Sequence, residues 1–284
     1  MIRGWYTGAS GMRAQQWRLD AVANNLANVD QDGFKRDTAV HKAFPEMLIR
    51  RMNDDGVYRH PFGSADEAPI IGKLGTGVEV NELFTIFEQG ALKETQSDFD
   101  VALDGKGFFT VATPWGERYT RNGSFHLGKE GYLETKEGYP VLGENGAIRV
   151  KANNFQIDKE GRVFINNEFD PNDPEVLVAR ENNTWSDTVL LDTLKIVNFD
   201  IDRYLQKQGS SLYKDTDISG PAQTMTVAER PRVIQGFTEA SNVDPVTEMV
   251  KMIEVNRAYE ANQKVVQSSD TMLGTLINQV ARVG

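Results

Sequence analysis

Apolar residues at heptad spacing occupy both ends of this chain, and this pattern limits the folds open to it. We call the a and d positions of the heptad repeat its seam. Near the C-terminus, eight of the ten seam positions are apolar over more than four heptads. Such spacing predicts a long α-helix whose apolar stripe is covered by another helix. Asp244-Pro245 supplies an N-cap and a first helical residue for it. The seam positions are Met252, Val255, Tyr259, Asn262, Val266, Ser269, Leu273, Leu276, Val280 and Val283.

Residues 2–28 repeat the pattern, and only Gln16 interrupts their seam. Gly4, Gly8 and Gly11 lie inside the same stretch, where each costs up to about 1 kcal/mol relative to alanine. We therefore expect a helix that is marginal alone but that lets another helix approach closely. The heptads fit a helical hairpin within one chain or packing between copies, and we favour the second. The other seam positions are Ile2, Trp5, Ala9, Met12, Leu19, Ala23 and Leu26.

The middle of the chain has the pattern of β-strands. Short aromatic and β-branched runs in residues 105–150 are separated by glycine turns every eight to ten residues, which is typical of hairpins. We predict a mixed α and β fold, with long terminal helices carrying coiled-coil heptads and a central, mainly antiparallel β domain. The predicted domains are a helical assembly domain of residues 1–36 with 241–284, an extended connector of residues 37–77, and a β-rich outer domain of residues 78–240.

The net charge of −10 argues against a nucleic-acid-binding role. Residues 1–36 carry +2 and residues 241–284 carry −1, so the middle of the chain carries −11. Binding to a phosphate backbone needs a clustered basic face, which this acidic body does not offer. No run of about 20 apolar residues predicts a membrane span, and the first residues lack the apolar core of a cleaved secretory signal. The chain contains no cysteine.

No residue pattern indicates catalysis, a cofactor or a metal. Asp98, Asp100 and Asp104 lie close together, but Ala102 stands where a calcium loop needs a ligand. The segment 72–77 lacks the Gly-Lys-Ser/Thr ending of a phosphate loop. None of the histidines has the spacing of metal ligands. They are His41, His60 and His126. We therefore expect no enzyme and no cofactor.

An aromatic series in the β region has two interpretations. Either these aromatic residues form a face on which a ligand stacks, or they form the core of the domain. Their alternation within strands favours the core. The residues are Phe108, Phe109, Tyr119, Phe125 and Tyr132.

Three parts of the chain together resemble the bacterial flagellar rod and hook family. The N-terminal part has Ala23-Asn24-Asn25-Leu26-Ala27-Asn28-Val29 followed by Gly33-Phe34-Lys35-Arg36. The middle has DVALDGKGFFTV, YTRNGSF and EGYPVLG. The C-terminal part has Gly236-Phe237, Glu239, Ser241-Asn242-Val243-Asp244 and Arg257-Ala258-Tyr259-Glu260. Within the family, GYPVLGENGAIRV favours the proximal-rod member over the distal-rod member, and the chain is short for a hook protein.

This resemblance implies a structural role. Members are exported through the flagellar type III pathway without cleavage of the N-terminus. They stack helically so that terminal helices line a channel and the β domain faces outward, and the rod carries torque across the periplasm. The implied partners are copies of the chain itself, neighbouring flagellar rod proteins and the flagellar export apparatus.

The resemblance also places the Asn-rich turn after the first helix at an interface between subunits. Its polar side chains would satisfy backbone groups and neighbouring subunits, with Phe34 as an apolar anchor and Lys35 and Arg36 facing acidic partners. A carbohydrate-binding or hydrolytic cell-wall module and a soluble assembly cap remain as alternatives. The candidate interface residues are Ile2, Trp5, Met12, Leu19, Asn24, Asn25, Leu26, Asn28, Phe34, Lys35, Arg36, Asn242, Met252, Val255, Tyr259, Val266, Leu273 and Leu276.

Overall fold

Two α-helices and many short strands make up the part of the chain that the structure describes, as the sequence predicts. This computed structural model describes residues 2–51, 57–60, 63–66, 70–150, 154–166, 188–209, 211–226 and 229–280. Helix α1 spans Ile2–Ala27 and helix α2 spans Pro245–Val280, so α2 begins at the predicted proline. Neither helix is long and apolar enough over the described residues to cross a membrane.

The strands between the helices pair mainly antiparallel, which confirms the mixed fold. They are short, and a 3-10 turn at Asp202–Tyr204 interrupts them. The strands are β1 Asp37–Ala43, β2 Met47–Arg50, β3 Val57–His60, β4 Gly63–Asp66, β5 Ile70–Leu74, β6 Val78–Thr85, β7 Leu92–Glu94, β8 Val101–Asp104, β9 Phe108–Thr113, β10 Gly116–Thr120, β11 Phe125–Leu127, β12 Leu133–Thr135, β13 Phe155–Ile157, β14 Arg162–Asn166, β15 Thr188–Thr193, β16 Ile196–Asn198, β17 Gln206–Gln208, β18 Leu212–Lys214, β19 Gln223–Thr224, β20 Arg232–Gln235 and β21 Phe237–Glu239.

The chain forms two compact units. The helical unit contains Met1–Ala23, Thr38–Leu83 and Val246–Gly284, and the β unit contains Asn24–Asp37 and Phe84–Pro245. The sequence predicts an extended connector at residues 37–77, and the described part of this segment contains strands β1 to β5. Residues 24–37 of the N-terminal motif belong to the β unit, although the sequence groups them with the helices.

Within the helical unit, glycines in α1 let it pack closely against α2. A Cβ placed on Gly8 would lie 2.8 Å from Cγ2 of Val266, and one on Gly11 would lie 2.9 Å from Nδ2 of Asn262. Trp5 Nε1 donates a hydrogen bond to the carbonyl of Val266 at 3.2 Å. Because Trp5 meets Val266 and Gly11 meets Asn262, the two helices run antiparallel. The close approach that the small residues predict is therefore made with a helix of the same chain.

The residues through which α1 and α2 contact each other match the predicted C-terminal seam better than the predicted N-terminal seam. Asn262, Val266 and Ser269 of the C-terminal seam face α1. In α1 the glycines supply the contact, while Ala9, a predicted seam position, is exposed beside the β1–β6 ribbon. A heptad coiled coil stays a prediction.

The β unit is built on a six-stranded sheet with the order β17-β18-β10-β9-β16-β19. One hydrophobic cluster gathers around Val101, Phe109 and Leu194, and a second gathers around Phe108, Tyr119 and Tyr213. The aromatic series is therefore core rather than a stacking face: Phe108, Phe109, Tyr119 and Phe125 are buried and Tyr132 is half-buried. The edge-to-face contact of Phe109 and Phe125, at 5.3 Å between ring centroids, is one of several in this core.

A candidate assembly site where the terminal motifs meet

The segment after α1 turns back into the β unit at Gly33. This residue has φ +69°, and a Cβ on it would lie 2.4 Å from the backbone nitrogen of Asn122. Only glycine fits such a turn pressed against another backbone. The Gly33 N–H donates to the carbonyl of Glu239 at 2.6 Å. The N-terminal motif is therefore held at this point by both the middle and the C-terminal motifs.

Lys35, Arg121 and Glu239 form a buried ionic group, called here the junction cluster. Lys35 Nζ donates to Glu239 Oε1 at 2.5 Å and to the carbonyl of Glu88 at 2.7 Å. Arg121 Nε lies 3.0 Å from Glu239 Oε2, an ion pair without a well-directed hydrogen bond. The exposed fractions of the Lys35 and Glu239 side chains are 0% and 1%. One residue from each of the three family motifs thus meets at this point.

The junction cluster contains two buried cations and only one carboxylate, so its stability depends strongly on that carboxylate. Burial lowers the pKa of Lys35, and the attraction of Glu239 opposes that effect. The backbone N–H of Gly90 adds a hydrogen bond of 2.9 Å to Glu239 Oε1. Loss of the carboxylate would leave two buried positive charges without their shared counter-charge, which is among the costliest defects in a protein interior.

Two asparagines of the family motifs pair with backbone groups in the manner of a strand. Asn25 Nδ2 donates to the carbonyl of Asp37 at 2.9 Å, and its Oδ1 accepts from the Asp37 N–H at 2.8 Å. Asn242 Oδ1 accepts from the N–H of Arg36 at 2.8 Å, and its Nδ2 donates to the carbonyl of Ile86 at 2.9 Å. These amides satisfy backbone groups at or next to the ends of strands β1 and β6.

Phe34 is buried next to a second lysine. The Lys207 ammonium lies 4.0 Å from the centroid of the Phe34 ring and 3.0 Å from Oδ2 of Asp37. Thr85 Oγ1 donates to the other oxygen of Asp37 at 2.7 Å. Burial lowers the pKa of Lys207, and Asp37 opposes this. The ring and its ionic neighbours lie where the chain enters the β unit after the turn that ends at Gly33.

The candidate interface residues therefore divide by exposure. Side chains buried within the chain are Asn25, Phe34, Lys35 and Val255; half-buried ones are Met12, Leu19, Leu26, Asn28, Arg36, Asn242, Met252, Val266 and Leu273; exposed ones are Trp5, Asn24, Tyr259 and Leu276. The side chain of Ile2 lies outside the described residues.

Asn25, Phe34 and Lys35 are buried within the single chain, and their place at an interface between subunits stays a prediction. They are covered by their own chain because Gly33 directs the segment inward, where Glu239 balances the Lys35 charge. Lys35 and Arg36 do face acidic groups, but these are Glu239 and Glu88 of the same chain.

Sequence reasoning did not assign Arg121, Glu239 or Lys207 to this site. Glu239 is the one charged residue of the short strand β21, and a buried carboxylate at such a position needs a cation beside it. The single acidic residue in the segment GFTEA, residues 236–240, was the available indication of this site. The sequence does not indicate the partner of Glu239, because Lys35 lies 204 residues away in the sequence.

Family models match each part of the chain that contributes to the junction cluster. The model described as flagella basal body rod protein matches residues 6–35, and the flagellar hook protein FlgE/F/G D1 domain matches residues 102–165. The model described as flagellar basal body rod FlgEFG protein C-terminal matches residues 234–279. The order and spread of these matches define an axial protein of the flagellar rod and hook class.

Full-length relatives narrow this class further. The chain is 35% identical over 283 residues to the flagellar basal-body rod protein FlgG of Buchnera aphidicola subsp. Acyrthosiphon pisum, across 97% of this chain and 99% of that protein. It is 33% identical over 291 residues to FlgG of Bacillus subtilis, across 98% and 99%. FlgF of Caulobacter vibrioides is 31% identical over 284 residues and all of both chains. The chain belongs to the flagellar basal-body rod protein family.

Proposed function

We propose that this chain is a structural subunit of the bacterial flagellar rod and assembles with copies of itself through its terminal helices. The observation that carries this proposal is an uncovered apolar stripe on α2. Val246, Val250 and Ile253, at 68%, 51% and 53% exposure, lie on one face of the helix. A stripe of this size in water favours burial against another molecule.

The β2–β5 ribbon also supports assembly. Its strands pair antiparallel, and large apolar side chains are exposed on both of its faces. An isolated two-stranded ribbon is marginally stable in water. Cover on both faces by neighbouring subunits would stabilise it. The exposed residues are Met47, Leu48, Ile49, Ile70 and Ile71.

The architecture of the assembly follows from repeated identical contacts. Contacts between unlike surfaces of one subunit, repeated from copy to copy, generate an open helical filament. In this proposal the terminal helices surround an export channel, the β unit faces outward, and the tube crosses the periplasm and transmits torque. The subunit reaches the basal body through the flagellar export apparatus without N-terminal cleavage. A position in the proximal rod, favoured over the distal rod, stays a prediction.

Sedimentation and negative-stain microscopy test the proposal. The full chain should form concentration-dependent polymers, while residues 24–245, which keep the β2–β5 ribbon but lack the apolar stripe of α2, should not form ordered polymers. A shorter fragment of residues 37–240 is unsuitable because it lacks Phe34 and Lys35 and would leave Glu239 buried without its lysine.

Paired variants of α2 make this test specific. Val250→Asp with Ile253→Asp should abolish polymers, whereas Gln263→Asp, at an exposed polar position of the same helix, should not. Polymers from the doubly substituted chain would overturn the role of the stripe. A soluble cap is distinguished by its absence from purified basal bodies.

A further inference from the structure

A cleft in the β unit combines the three residue types that most often dominate binding between proteins. It has a volume of about 480 Å³ and is lined by side chains that include Trp115, Arg118, Tyr139 and Ser211. Tryptophan, tyrosine and arginine are enriched where a few residues supply most of the binding energy. Trp115 is 70% exposed in the turn of the β9–β10 hairpin.

Two polar groups of otherwise buried residues are open to the cleft and have no partner among the described residues. Arg118 is 6% exposed; its Nε donates to Gln208 Oε1 at 2.6 Å and its Nη1 to the carbonyl of Glu117 at 2.7 Å. Its Nη2 has no partner among the described residues. Ser211 is 3% exposed, and its hydroxyl likewise bonds to no described group. A buried cation and a hydroxyl that face one cleft together favour an oxyanion.

We infer that this cleft binds a carboxylate-bearing segment of a partner polypeptide, with the carboxylate on Arg118 and Ser211 and an adjacent apolar side chain against Trp115. The remaining donors of a fixed guanidinium match the geometry of a carboxylate. Glu137, also in the lining, is exposed and accepts a peptide N–H of the bound segment. This site goes beyond assembly through the terminal helices and does not depend on it.

The test compares two short peptides that differ only in charge. Acetyl-Leu-Glu-Leu-amide and acetyl-Leu-Gln-Leu-amide are titrated into dilute full-length protein, and binding is followed by saturation-transfer NMR. The Glu peptide should bind about tenfold more tightly than its Gln counterpart, because only the carboxylate engages the charged guanidinium. Equal binding of the two peptides, or none up to about 10 mM, overturns the inference.

Variants assign the binding to the cleft. Ser211→Ala and Trp115→Ala should each weaken the Glu peptide about fivefold or more, while Ile218→Ala, an exposed apolar residue of the β unit outside the lining, should not. All three variants should keep the wild-type melting temperature and polymerise normally. N-acetylmuramic acid serves as a carboxylated sugar; its binding in place of the peptide would overturn the polypeptide assignment.

Discussion

Lys35 and Glu239, which are 204 residues apart in the sequence, form a fully buried ion pair in the β unit. The pair links the N-terminal family motif to the C-terminal one. Arg121 of the middle motif contacts the same carboxylate. The three motifs that identify the family are thus parts of one three-dimensional feature.

Glu239→Gln should lower the free energy of unfolding by about 3–5 kcal/mol, because it leaves Lys35 and Arg121 buried without a counter-charge. Glu88→Gln is the matched control, since its ion pair with Arg36 is at the surface and is worth less than about 1 kcal/mol. Urea denaturation of both variants measures the difference. Losses of similar size would show that the buried charge is not what stabilises this region.

Gly8→Ala should separate α1 from α2, since the new Cβ would lie 2.8 Å from Cγ2 of Val266. We expect a loss of about 1–3 kcal/mol from the overpacked contact, and Val266→Ala in the same chain should restore part of it. Gly274→Ala on α2 meets nothing within 4 Å and should stabilise the helix by up to about 1 kcal/mol. Helical circular dichroism during heating reports each change. A stabilising effect of Gly8→Ala would mean that the helices are not in close contact.

Asn25→Ala should cost about 1–3 kcal/mol, because it leaves the N–H and the carbonyl of Asp37 without partners. Asn24→Ala, at an exposed neighbouring position, should change stability by less than about 0.5 kcal/mol. Chemical denaturation followed by tryptophan fluorescence compares them. Equal stability of the two variants would contradict the pairing of Asn25 with Asp37.

The free energy of unfolding should fall in alkaline solution, because buried tyrosines lose their hydroxyl protons at a higher pH in the folded chain than in the unfolded chain. Burial raises the pKa of Tyr119 to about 12, whereas an unfolded tyrosine titrates near pH 10. The unfolded chain therefore loses its proton first, and this stabilising contribution, complete below pH 10, disappears as pH rises towards 12. Tyr119→Phe should reduce the slope in this window by up to about 1.4 kcal/mol per pH unit.

Two lysines act in the opposite sense at alkaline pH. Burial lowers the pKa values of Lys35 and Lys207 below 10.5, so the unfolded chain keeps these protons to a higher pH than the folded chain does. The free energy of unfolding therefore rises with pH through these lysines, up to about pH 10.5.

Tyr132→Phe, at a half-buried tyrosine, is a control for the Tyr119 measurement. An unchanged alkaline slope in Tyr119→Phe would show that this hydroxyl does not titrate on unfolding.

The sequence predicts the helices and the strand pattern because these depend on local periodicity. The start of α2 at Pro245 and the burial of Phe109 follow from neighbouring residues alone. The position of Lys35 does not, because its basic, Asn-rich surroundings are typical of an exposed turn. Only a distant acidic partner makes burial favourable there. Similarly, the heptad pattern does not reveal that the glycine face of α1 contacts α2.

Synthesis of the chain proceeds from Lys35 towards Glu239, and the β unit lacks its counter-charge until residue 239 has been made. A growing chain therefore cannot complete this unit until about five-sixths of its length exists. Throughout most of translation, the segment that contains Lys35 stays better solvated in the open chain than in a partial fold. The junction cluster thus delays completion of the subunit until its last helix is about to emerge.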